Sequence, residues 1–247
     1  MEQIDTLKNG YKIFQDTERF QFGIDAVLLA DFAMGGCTKT ASGVRPEEKV
    51  IDLGTGTGII PLLMAGKLKE VAFTGLEVQE ASAEMAERSV AMNRLEDSIQ
   101  IVHGNLRNVA ELFDRHSFNA VTCNPPYMID THGRGNELDA KTIARHEVLC
   151  TLEDVVAAAD YLLAPHGRFF MIHRPFRLPE IFESLAAHKL EPKRMRLIHP
   201  FTDKEPNMVM IEARKNAKRR LTIEPPLVVR NDDGVYTDEI NQIYLSC

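Results

Sequence analysis

The sequence predicts an α/β fold in which helices cover both faces of a mostly parallel sheet. Short apolar runs alternate with helical patterns through the middle of the chain, as in βαβ units. One run, residues 50–53, leads directly into a glycine loop, Gly54-Thr55-Gly56-Thr57-Gly58. Another, residues 118–123, ends at Asn124 and two prolines, which stop a strand because proline donates no N–H. Both runs therefore end at the carboxyl edge of the sheet, where doubly wound folds bind their ligands.

The composition is that of an ordinary globular protein. The 247 residues have room for one large α/β domain and little for a second. No apolar run approaches the roughly 20 residues that span a bilayer, and the polar N-terminus is unlike a signal peptide. The four cysteines are far apart and form no CxxC pair: Cys37, Cys123, Cys150 and Cys247. We expect a cytoplasmic protein with reduced thiols, no membrane contact and no metal site, and we take it to be a monomer.

The first 48 residues are expected to form an extension ahead of the central fold. Residues 11–22 alternate between apolar and polar side chains, which predicts a β-hairpin with its turn near Asp16-Thr17-Glu18. Residues 24–34 have a helical pattern that stops at Gly35-Gly36, and the polar stretch 38–48 predicts a linker.

The remainder alternates strands and helices and closes with two antiparallel strands and a tail. The predicted strands are residues 50–53, 71–76, 98–102, 118–123, 167–173, 194–199 and 208–214, with one short strand in the tail from Leu221. The predicted helices are residues 59–69, 79–94, 106–115, 151–163 and 178–188, the fourth beginning at Thr151 as N-cap. Residues 128–140 are charged and poor in apolar side chains, which predicts a loop over the site.

Polar residues at three strand ends predict a nucleotide-type cofactor site. Asp52 comes just before the glycine loop, whose residues Gly54, Thr55 and Gly56 bring the backbone close to a ligand. Glu77 ends the next strand, about 20 residues further on, where an acidic side chain accepts hydrogen bonds from ribose hydroxyls. Val78 is then expected to pack on the adenine ring, and Asn105, after the third strand, to bond its edge.

The glycine spacing favours S-adenosylmethionine over a dinucleotide. The pyrophosphate of NAD needs a helix N-terminus brought close by the third glycine of GxGxxG, and Ile59 occupies that position. S-adenosylmethionine has no phosphate, and its ammonium can be met by the Asp52 carboxylate, directly or through water. We therefore expect S-adenosylmethionine as the cofactor.

The stretch Asn124-Pro125-Pro126-Tyr127 suits a planar, NH2-bearing group, and it resembles the catalytic motif of Rossmann-like methyltransferases that act on exocyclic amines or amide nitrogens. The Asn124 side chain and the Pro125 carbonyl are acceptors for the two amine hydrogens, and Tyr127 offers a stacking face. Accepting both hydrogens draws the nitrogen toward tetrahedral geometry and stabilises the positive charge that develops on it, so no strong base is needed. A base within nucleic acid must first be splayed out to reach such a site.

With these motifs, the chain resembles the bacterial valine-tRNA adenine-37 N6-methyltransferase family. The resemblance covers nearly the whole chain and includes Phe22-Gly-Ile-Asp-Ala-Val-Leu-Leu-Ala, Ala144-Arg-His-Glu147 and Gly234-Val-Tyr-Thr-Asp-Glu-Ile-Asn. It implies a Rossmann-like class I methyltransferase fold: a seven-stranded, mostly parallel sheet with an antiparallel last strand and helices on both faces. It also implies N6-methylation of the adenine beside the anticodon. By position, Asp52, Gly54, Gly56, Glu77 and Asn105 would then bind cofactor, and Asn124, Pro125 and Tyr127 the target amine.

We accordingly expect one methyltransferase domain over residues 1–247. It comprises the extension (1–48), a cofactor-binding catalytic core (49–220) and a tail (221–247). The alternatives are a release-factor glutamine N5-methyltransferase, which shares NPPY but carries a larger N-terminal domain, and a DNA adenine methyltransferase, which needs a target-recognition domain. A catalytically silent RNA-binding module should lack Asn124 or the cofactor carboxylates. A dehydrogenase fits the glycine loop less well.

The charge distribution predicts where RNA binds. The net charge is −7, yet residues 189–220 carry +6 and the rest of the chain −13. A local basic patch on an acidic body is typical of a phosphate-facing surface, although a solvated face would look the same. The expected RNA contacts are Arg134, Lys141 and Arg145 beyond Tyr127, and Lys193, Arg194, Arg196, Lys215, Lys218, Arg219 and Arg220 near the last strands.

Overall fold

The computed structural model describes residues 1–16, 22–36, 43–125 and 150–246. Its strands are β1 (Glu2–Thr6), β2 (Lys12–Asp16), β3 (Lys49–Leu53), β4 (Ala72–Glu77), β5 (Ile99–His103), β6 (Phe118–Cys123), β7 (Leu163–His173), β8 (Leu190–Phe201), β9 (Met208–Lys215), β10 (Thr222–Ile223) and β11 (Leu227–Arg230). Its helices are α1 (Ile24–Ala33), α2 (Ile59–Lys67), α3 (Glu80–Met92), α4 (Val109–Leu112), α5 (Leu152–Leu162), α6 (Leu178–Ala187) and α7 (Asp238–Ser246). No helix in these ranges has the length and apolar character needed to cross a membrane.

The central sheet has the order β10-β8-β9-β7-β6-β3-β4-β5, with β11 also paired to β8. The strands from β5 to β7 are parallel, and β9 runs antiparallel to both of its neighbours. The seven strands from β5 to β8 are thus the predicted sheet with its antiparallel strand, and the predicted fold class is confirmed. The described sheet is wider than predicted, with nine strands, because the tail adds β10 and β11 to its outer side.

The strand order reverses between β3 and β6. From β3 the chain continues outward through β4 and β5, and it then returns to β6 on the other side of β3. The carboxyl ends of these two neighbouring strands therefore form the topological switch point, where open α/β sheets leave a crevice for ligands. Asp52 lies on one of these strands, and Asn124 directly follows the other.

Two hydrophobic clusters cover the two faces of the sheet. On one face, α1, α2, α3 and α7 pack against Val50, Ala120 and Phe170. On the other, α5 and α6 pack against Ile51 and Phe169. Alternate strand residues thus face opposite layers, and the helices lie on both faces as predicted. Helix α1 is buried from Ala26 to Ala33 because it lies between the sheet, α2 and α7.

The N-terminal hairpin differs from the prediction. The described partner of Lys12–Asp16 is Glu2–Thr6, and the turn between them contains Gly10 at φ +86°. The predicted hairpin was misplaced because residues 11–22 contain only one of its two strands. The turn residues Asn9-Gly10 lie before this range. Residues 17–21, which contain most of the predicted turn, lie outside the described ranges.

Most other predicted elements have the expected positions, and the tail is the main exception. The one short strand predicted from Leu221 is divided into β10 and β11 by the intervening residues Glu224, Pro225 and Pro226. Helix α7 was not predicted, although Thr237 precedes it as a capping residue type and Ile240 and Ile243 form its buried face. Most of the predicted linker, residues 37–42, falls outside the described part of the chain.

Candidate active site at the switch point

Three strands place Thr122, Asp52 and Gly75 side by side in one row below the carboxyl edge. The register pairs Asp52 of β3 with Thr122 of β6 on one side and with Gly75 of β4 on the other. A Cβ built on Gly75 would lie 2.7 Å from the Thr55 side chain, so glycine leaves the space that Thr55 occupies. The row therefore brings the glycine loop, the Asp52 carboxylate and the strand that leads to Asn124 together.

The Asp52 carboxylate is buried and only half satisfied. It is 2% exposed, and its Oδ1 accepts a hydrogen bond of 2.7 Å from the Thr122 hydroxyl. Within the described structure, Oδ2 of Asp52 and Oγ1 of Thr55 have no hydrogen-bond partner. Burial raises the pKa of Asp52 to about 7, and the hydroxyl groups of Thr122 and Thr55 both oppose this rise. The Thr122 hydroxyl does so through its hydrogen bond, whereas the Thr55 hydroxyl is close to the carboxylate but falls short of hydrogen-bond geometry. Two unpaired buried polar atoms at a ligand-binding edge indicate a polar ligand.

The glycine loop is held in shape by the next strand. Gly54 and Gly56 have φ values of +72° and +57°, a region that favours glycine. The backbone N–H groups of Gly54 and Thr55 donate to the Leu76 carbonyl, and that of Gly56 donates to Oε2 of Glu77 at 2.9 Å. A Cβ built on Gly54 or Gly56 would meet nothing within 4 Å, so the space in front of the loop is open to a ligand.

Glu77 lies at the carboxyl end of β4, where the sequence predicted a ribose acceptor. Its side chain is 4% exposed, and Oε1 accepts a hydrogen bond of 2.8 Å from the Gln79 backbone N–H. Each carboxylate oxygen therefore has one backbone donor, and a carboxylate offers about four acceptor positions. The residues present fit a cofactor with ribose hydroxyls beside Glu77 and an ammonium beside Asp52.

Val78 and Asn105 flank the same end of the sheet. The Val78 carbonyl lies 3.1 Å from Nε2 of His103, and Val78 is partly exposed. The Asn105 Oδ1 accepts a hydrogen bond of 3.0 Å from the Arg107 backbone N–H and so caps a short 3₁₀ turn. Its amide nitrogen is thereby oriented as a donor, the atom that distinguishes asparagine from aspartate at this position.

Asn124 and Pro125 follow directly after β6 at the same edge. Asn124 is partly buried and Pro125 is buried. Asn124 lies two residues beyond Thr122, and side chains two apart along an extended chain share a face. Pro126 and Tyr127, together with the expected lid and the expected contacts Arg134, Lys141 and Arg145, lie outside the described residues.

Three of the predicted RNA contacts are instead internal ion pairs, and those predictions are wrong. Arg194 is 4% exposed and pairs with Glu212 and Glu224 at 3.0 and 3.2 Å. Arg196 pairs with Glu239 of α7 at 2.8 Å, and Lys215 pairs with Asp160 at 2.9 Å. The tail and α5 cover these side chains with carboxylates, so their charges are neutralised within the protein and cannot meet phosphate.

The other predicted cations form what we call the outer basic cluster: Lys193, Lys218, Arg219 and Arg220. The last three are exposed, and Nζ of Lys193 donates to the Lys218 carbonyl at 2.8 Å. The cluster lies beside β8 and β10, and β10 is four strands from β6. At 4.8 Å per strand, that separation is roughly 19 Å.

Sequence reasoning missed three residues near the site. Thr122 is a polar residue in an apolar run, and Gly75 is a glycine inside a strand, a sign of close approach by another group. His173 ends β7, is 3% exposed, and accepts at Nδ1 a hydrogen bond of 2.7 Å from the Arg174 backbone N–H. Burial, aided by the charges of Arg177 and Arg174, lowers the pKa of His173 to about 4.

The strand order and the acidic and glycine-rich edge define a class I methyltransferase. Residues 40–185 match the family model described as the methyltransferase small domain. The match covers more than half of the chain, so the chain belongs to this family.

Curated relatives match over most of the chain. A tRNA1(Val) (adenine(37)-N6)-methyltransferase of Porphyromonas gingivalis strain W83 is 29% identical over 222 residues, which are 88% of this chain and 84% of the relative. A protein of the same name from Dyadobacter fermentans is 26% identical over 227 residues, 89% of this chain and 92% of the relative.

Solved structures share the fold. A predicted O-methyltransferase from Agrobacterium tumefaciens superposes with a TM-score of 0.70 at 22% identity, covering 90% of this chain and 96% of its own. A geranyl diphosphate C-methyltransferase from Streptomyces coelicolor, solved with Mg²⁺, geranyl diphosphate and S-adenosyl-L-homocysteine, has a TM-score of 0.58 at 16% identity, covering 76% and 78%.

Proposed function

We propose that this protein transfers a methyl group from S-adenosylmethionine to the exocyclic N6 of adenine 37 in a valine tRNA. The observation that carries the chemistry is the adjacency of β3 and β6, which places the buried Asp52 carboxylate beside the strand that leads to Asn124. The curated relatives that match 88–89% of the chain support the substrate.

The cofactor half of the site is assigned to Asp52, Gly54, Thr55, Gly56, Glu77, Val78 and Asn105. Asp52 meets the ammonium of the methionine end, and Glu77 accepts from the ribose hydroxyls while it also holds the Gly56 amide. Asn105 has its oxygen bonded to Arg107, so its amide NH2 is the group that donates to the adenine edge. When bound, the cofactor supplies an electrophilic methyl group on a sulfonium.

The amine half is assigned to Asn124, Pro125, Pro126 and Tyr127. The Asn124 oxygen and the Pro125 carbonyl accept the two N6 hydrogens, which localises the nitrogen lone pair and orients it toward the methyl group. These acceptors also stabilise the charge that builds on nitrogen during transfer, a role that requires no proton acceptor at that stage. Tyr127 stacks on the base once it has left the RNA stack, and Pro126 completes the motif between the two acceptors and the ring.

The tRNA is proposed to contact two separate surfaces. One is the edge that bears Asn124, together with the basic residues Arg134, Lys141 and Arg145 that follow Tyr127 in the sequence. The other is the outer basic cluster beside β8 and β10, which lie three and four strands to the side of β6. A tRNA is long enough to reach both, and the cluster then contributes salt-dependent phosphate contacts without reading sequence.

We further propose that residues 1–247 work as one methyltransferase domain, as a monomer in the cytoplasm, with no metal ion. Within the described ranges, no group of three His, Cys, Asp or Glu side chains is placed to hold a metal. The shared hydrophobic cluster of α1, α7 and the sheet supports a single folding unit.

Nucleoside analysis tests the function directly. Bulk tRNA from cells that lack this protein should have no N6-methyladenosine at position 37 of valine tRNA, and purified protein with S-adenosylmethionine should restore it. The Asn124→Ala variant is the matched control and should not restore it. Unchanged tRNA methylation in the deleted strain, together with no transfer to that tRNA in vitro, would overturn the proposal.

A further inference from the structure

We propose that Thr122 is a positioning residue that keeps the Asp52 carboxylate oriented and ionised for the ammonium of the cofactor. This inference rests on the proposed cofactor role of Asp52. The hydroxyl of Thr122 donates to Oδ1 of Asp52 at 2.7 Å, and the two residues are direct partners across β6 and β3. Their exposed fractions are 0% and 2%, so water does not replace this bond in the folded protein.

The hydrogen bond from Thr122 makes the two carboxylate oxygens of Asp52 inequivalent. Oδ1 is anchored to Thr122, while Oδ2 has no partner among the described residues. An anchored carboxylate cannot rotate without breaking a bond to a buried hydroxyl, which is a substantial cost in a dry site. Oδ2 is therefore the carboxylate oxygen that remains for the ammonium of the cofactor.

The same bond governs the charge of Asp52. Burial raises the pKa of Asp52 to about 7, and the negative charge of Glu77 on β4 raises it further, while Thr122 and Thr55 lower it. Cys123, the next residue on β6, is a buried thiol whose own pKa burial raises well above its usual range. Near neutral pH the ionised fraction of Asp52 thus depends on the Thr122 hydroxyl, and a protonated Asp52 loses most of its attraction for an ammonium.

A purely structural role for Thr122 is the competing explanation, since β-branched residues suit strands. Valine has the shape of threonine without the hydroxyl, so Thr122→Val separates the two explanations. Thr122→Ser keeps the donor and removes the methyl group. Thr74→Val, on β4 outside the site, is the matched control for replacing a strand threonine.

The experiment measures cofactor affinity by calorimetry between pH 6 and 9, with the melting temperature of the unliganded protein recorded for each variant. The expected result for Thr122→Val at pH 7 is about tenfold weaker S-adenosylmethionine binding, the loss of one hydrogen bond to a charged group. The deficit should shrink as the pH rises, because Asp52 ionises again. Thr122→Ser and Thr74→Val should bind like wild type.

Methylthioadenosine, which lacks the ammonium, completes the test. Its affinity should be the same for wild type and Thr122→Val. Wild-type S-adenosylmethionine affinity in Thr122→Val across the pH range, or an equal loss for both ligands, would overturn the inference and leave the proposed function standing. A wild-type protein that does not bind S-adenosylmethionine would instead overturn the proposed function. If Thr122→Val does not fold, the smaller Thr122→Ala is measured in the same way, with the same criteria.

Discussion

The guanidinium carbon of Arg194 lies 3.7 Å from the centroid of the Phe32 ring. From this position Arg194 also donates to the Phe32 carbonyl at 2.7 Å and pairs with Glu212 and Glu224. One buried side chain on β8 thus joins α1, β9 and the segment between β10 and β11. Its positive charge is therefore directed into the protein, where it neutralises the fully buried carboxylate of Glu212.

Arg194→Ala is therefore expected to destabilise the fold rather than to weaken RNA binding. Glu212 is 0% exposed and, among the described residues, would keep only its ion pair with Arg214, so the loss should be roughly 3–5 kcal/mol. Urea denaturation measures the free energy of unfolding. Arg214→Ala is the matched control, because Arg214 pairs with the same Glu212 but is 32% exposed, and its effect should be clearly smaller. Equal effects of the two variants would contradict this account.

Asn124→Ala should abolish methyl transfer and leave cofactor affinity largely intact. The reason is that Asn124 is assigned to the target amine, whereas Asp52 and Glu77 are assigned to the cofactor. Calorimetry with S-adenosylmethionine and single-turnover transfer to valine tRNA, on the same preparation, test both halves. Wild-type turnover in this variant would eliminate the proposed hydrogen-bond mechanism.

Glu77→Gln should weaken S-adenosylmethionine binding by about tenfold or more, since charged hydrogen bonds contribute roughly 1.5–3 kcal/mol each. The amide also places an NH2 group where the carboxylate accepts from Gly56 or Gln79, so the glycine loop should loosen. Calorimetry gives the affinity, and Glu80→Gln, an exposed neighbour on α3, is the control. An unchanged affinity would mean that the ribose lies elsewhere.

Neutralising the exposed part of the outer basic cluster should weaken tRNA binding. For Lys218→Ala/Arg219→Ala/Arg220→Ala, the slope of log affinity against log salt should flatten by about two, at roughly 0.7 per lost contact. Cofactor affinity should stay unchanged, because these three residues lie beside β10, whose lateral separation from β6 is four strands, or roughly 19 Å. Lys8→Ala/Lys67→Ala removes exposed charges elsewhere and should have little effect. If the triple variant keeps the wild-type slope, the cluster is a solvated face.

The pH dependence of stability should contain two opposing contributions between pH 4 and 7. The pKa of His173 is lowered from 6.5 in the unfolded chain to about 4 in the folded protein. As the pH falls through this range, the unfolded chain takes up a proton at His173 before the folded protein does, so the stabilising contribution of His173 is lost. The pKa of Asp52 is raised from 3.8 in the unfolded chain to about 7 in the folded protein. The folded protein therefore holds a proton on Asp52 that the unfolded chain has already released, and the stabilising contribution of Asp52 is lost as the pH rises through this range.

The His173→Gln variant isolates one of the two contributions. Both proteins retain Asp52, so the difference between their unfolding free energies reports His173 alone. The variant should lose less stability than wild type on going from pH 6.5 to 4, as measured by urea denaturation at each pH. His166→Gln, at an exposed histidine, is the comparison. Parallel curves for wild type and His173→Gln would show that the burial of His173 does not govern its proton affinity.

The sequence was sufficient for the seven strands from β5 to β8 and for the strand ends that form the site. The glycines after residue 53, the prolines after Asn124 and the acidic end of β4 each mark where a strand stops, and the strand order of the family places those ends together. What it could not supply was register. That Thr122 lies directly beside Asp52, and Gly75 on its other side, follows from how three strands align rather than from any local pattern.

The predicted RNA contacts Arg194, Arg196 and Lys215 were wrong for a related reason. A count of charges between residues 189 and 220 cannot show which cations the rest of the chain will cover. Arg196 is neutralised by Glu239, which is 43 residues further along the chain, in the unpredicted helix α7. Lys215 is neutralised by Asp160 of α5. Long-range pairs of this kind leave no periodic signal, so the sequence overstated the surface available to RNA.

The outer side of the sheet also bears on how the protein behaves at high concentration. Strand β10 contains only Thr222 and Ile223, and Pro225 and Pro226 separate it from β11. Unpaired strand edges are templates on which a second molecule can add its own strand, and short edges next to prolines offer few groups for that pairing. This side of the sheet therefore resists edge-to-edge aggregation with a second molecule, even though Ile223 is 63% exposed.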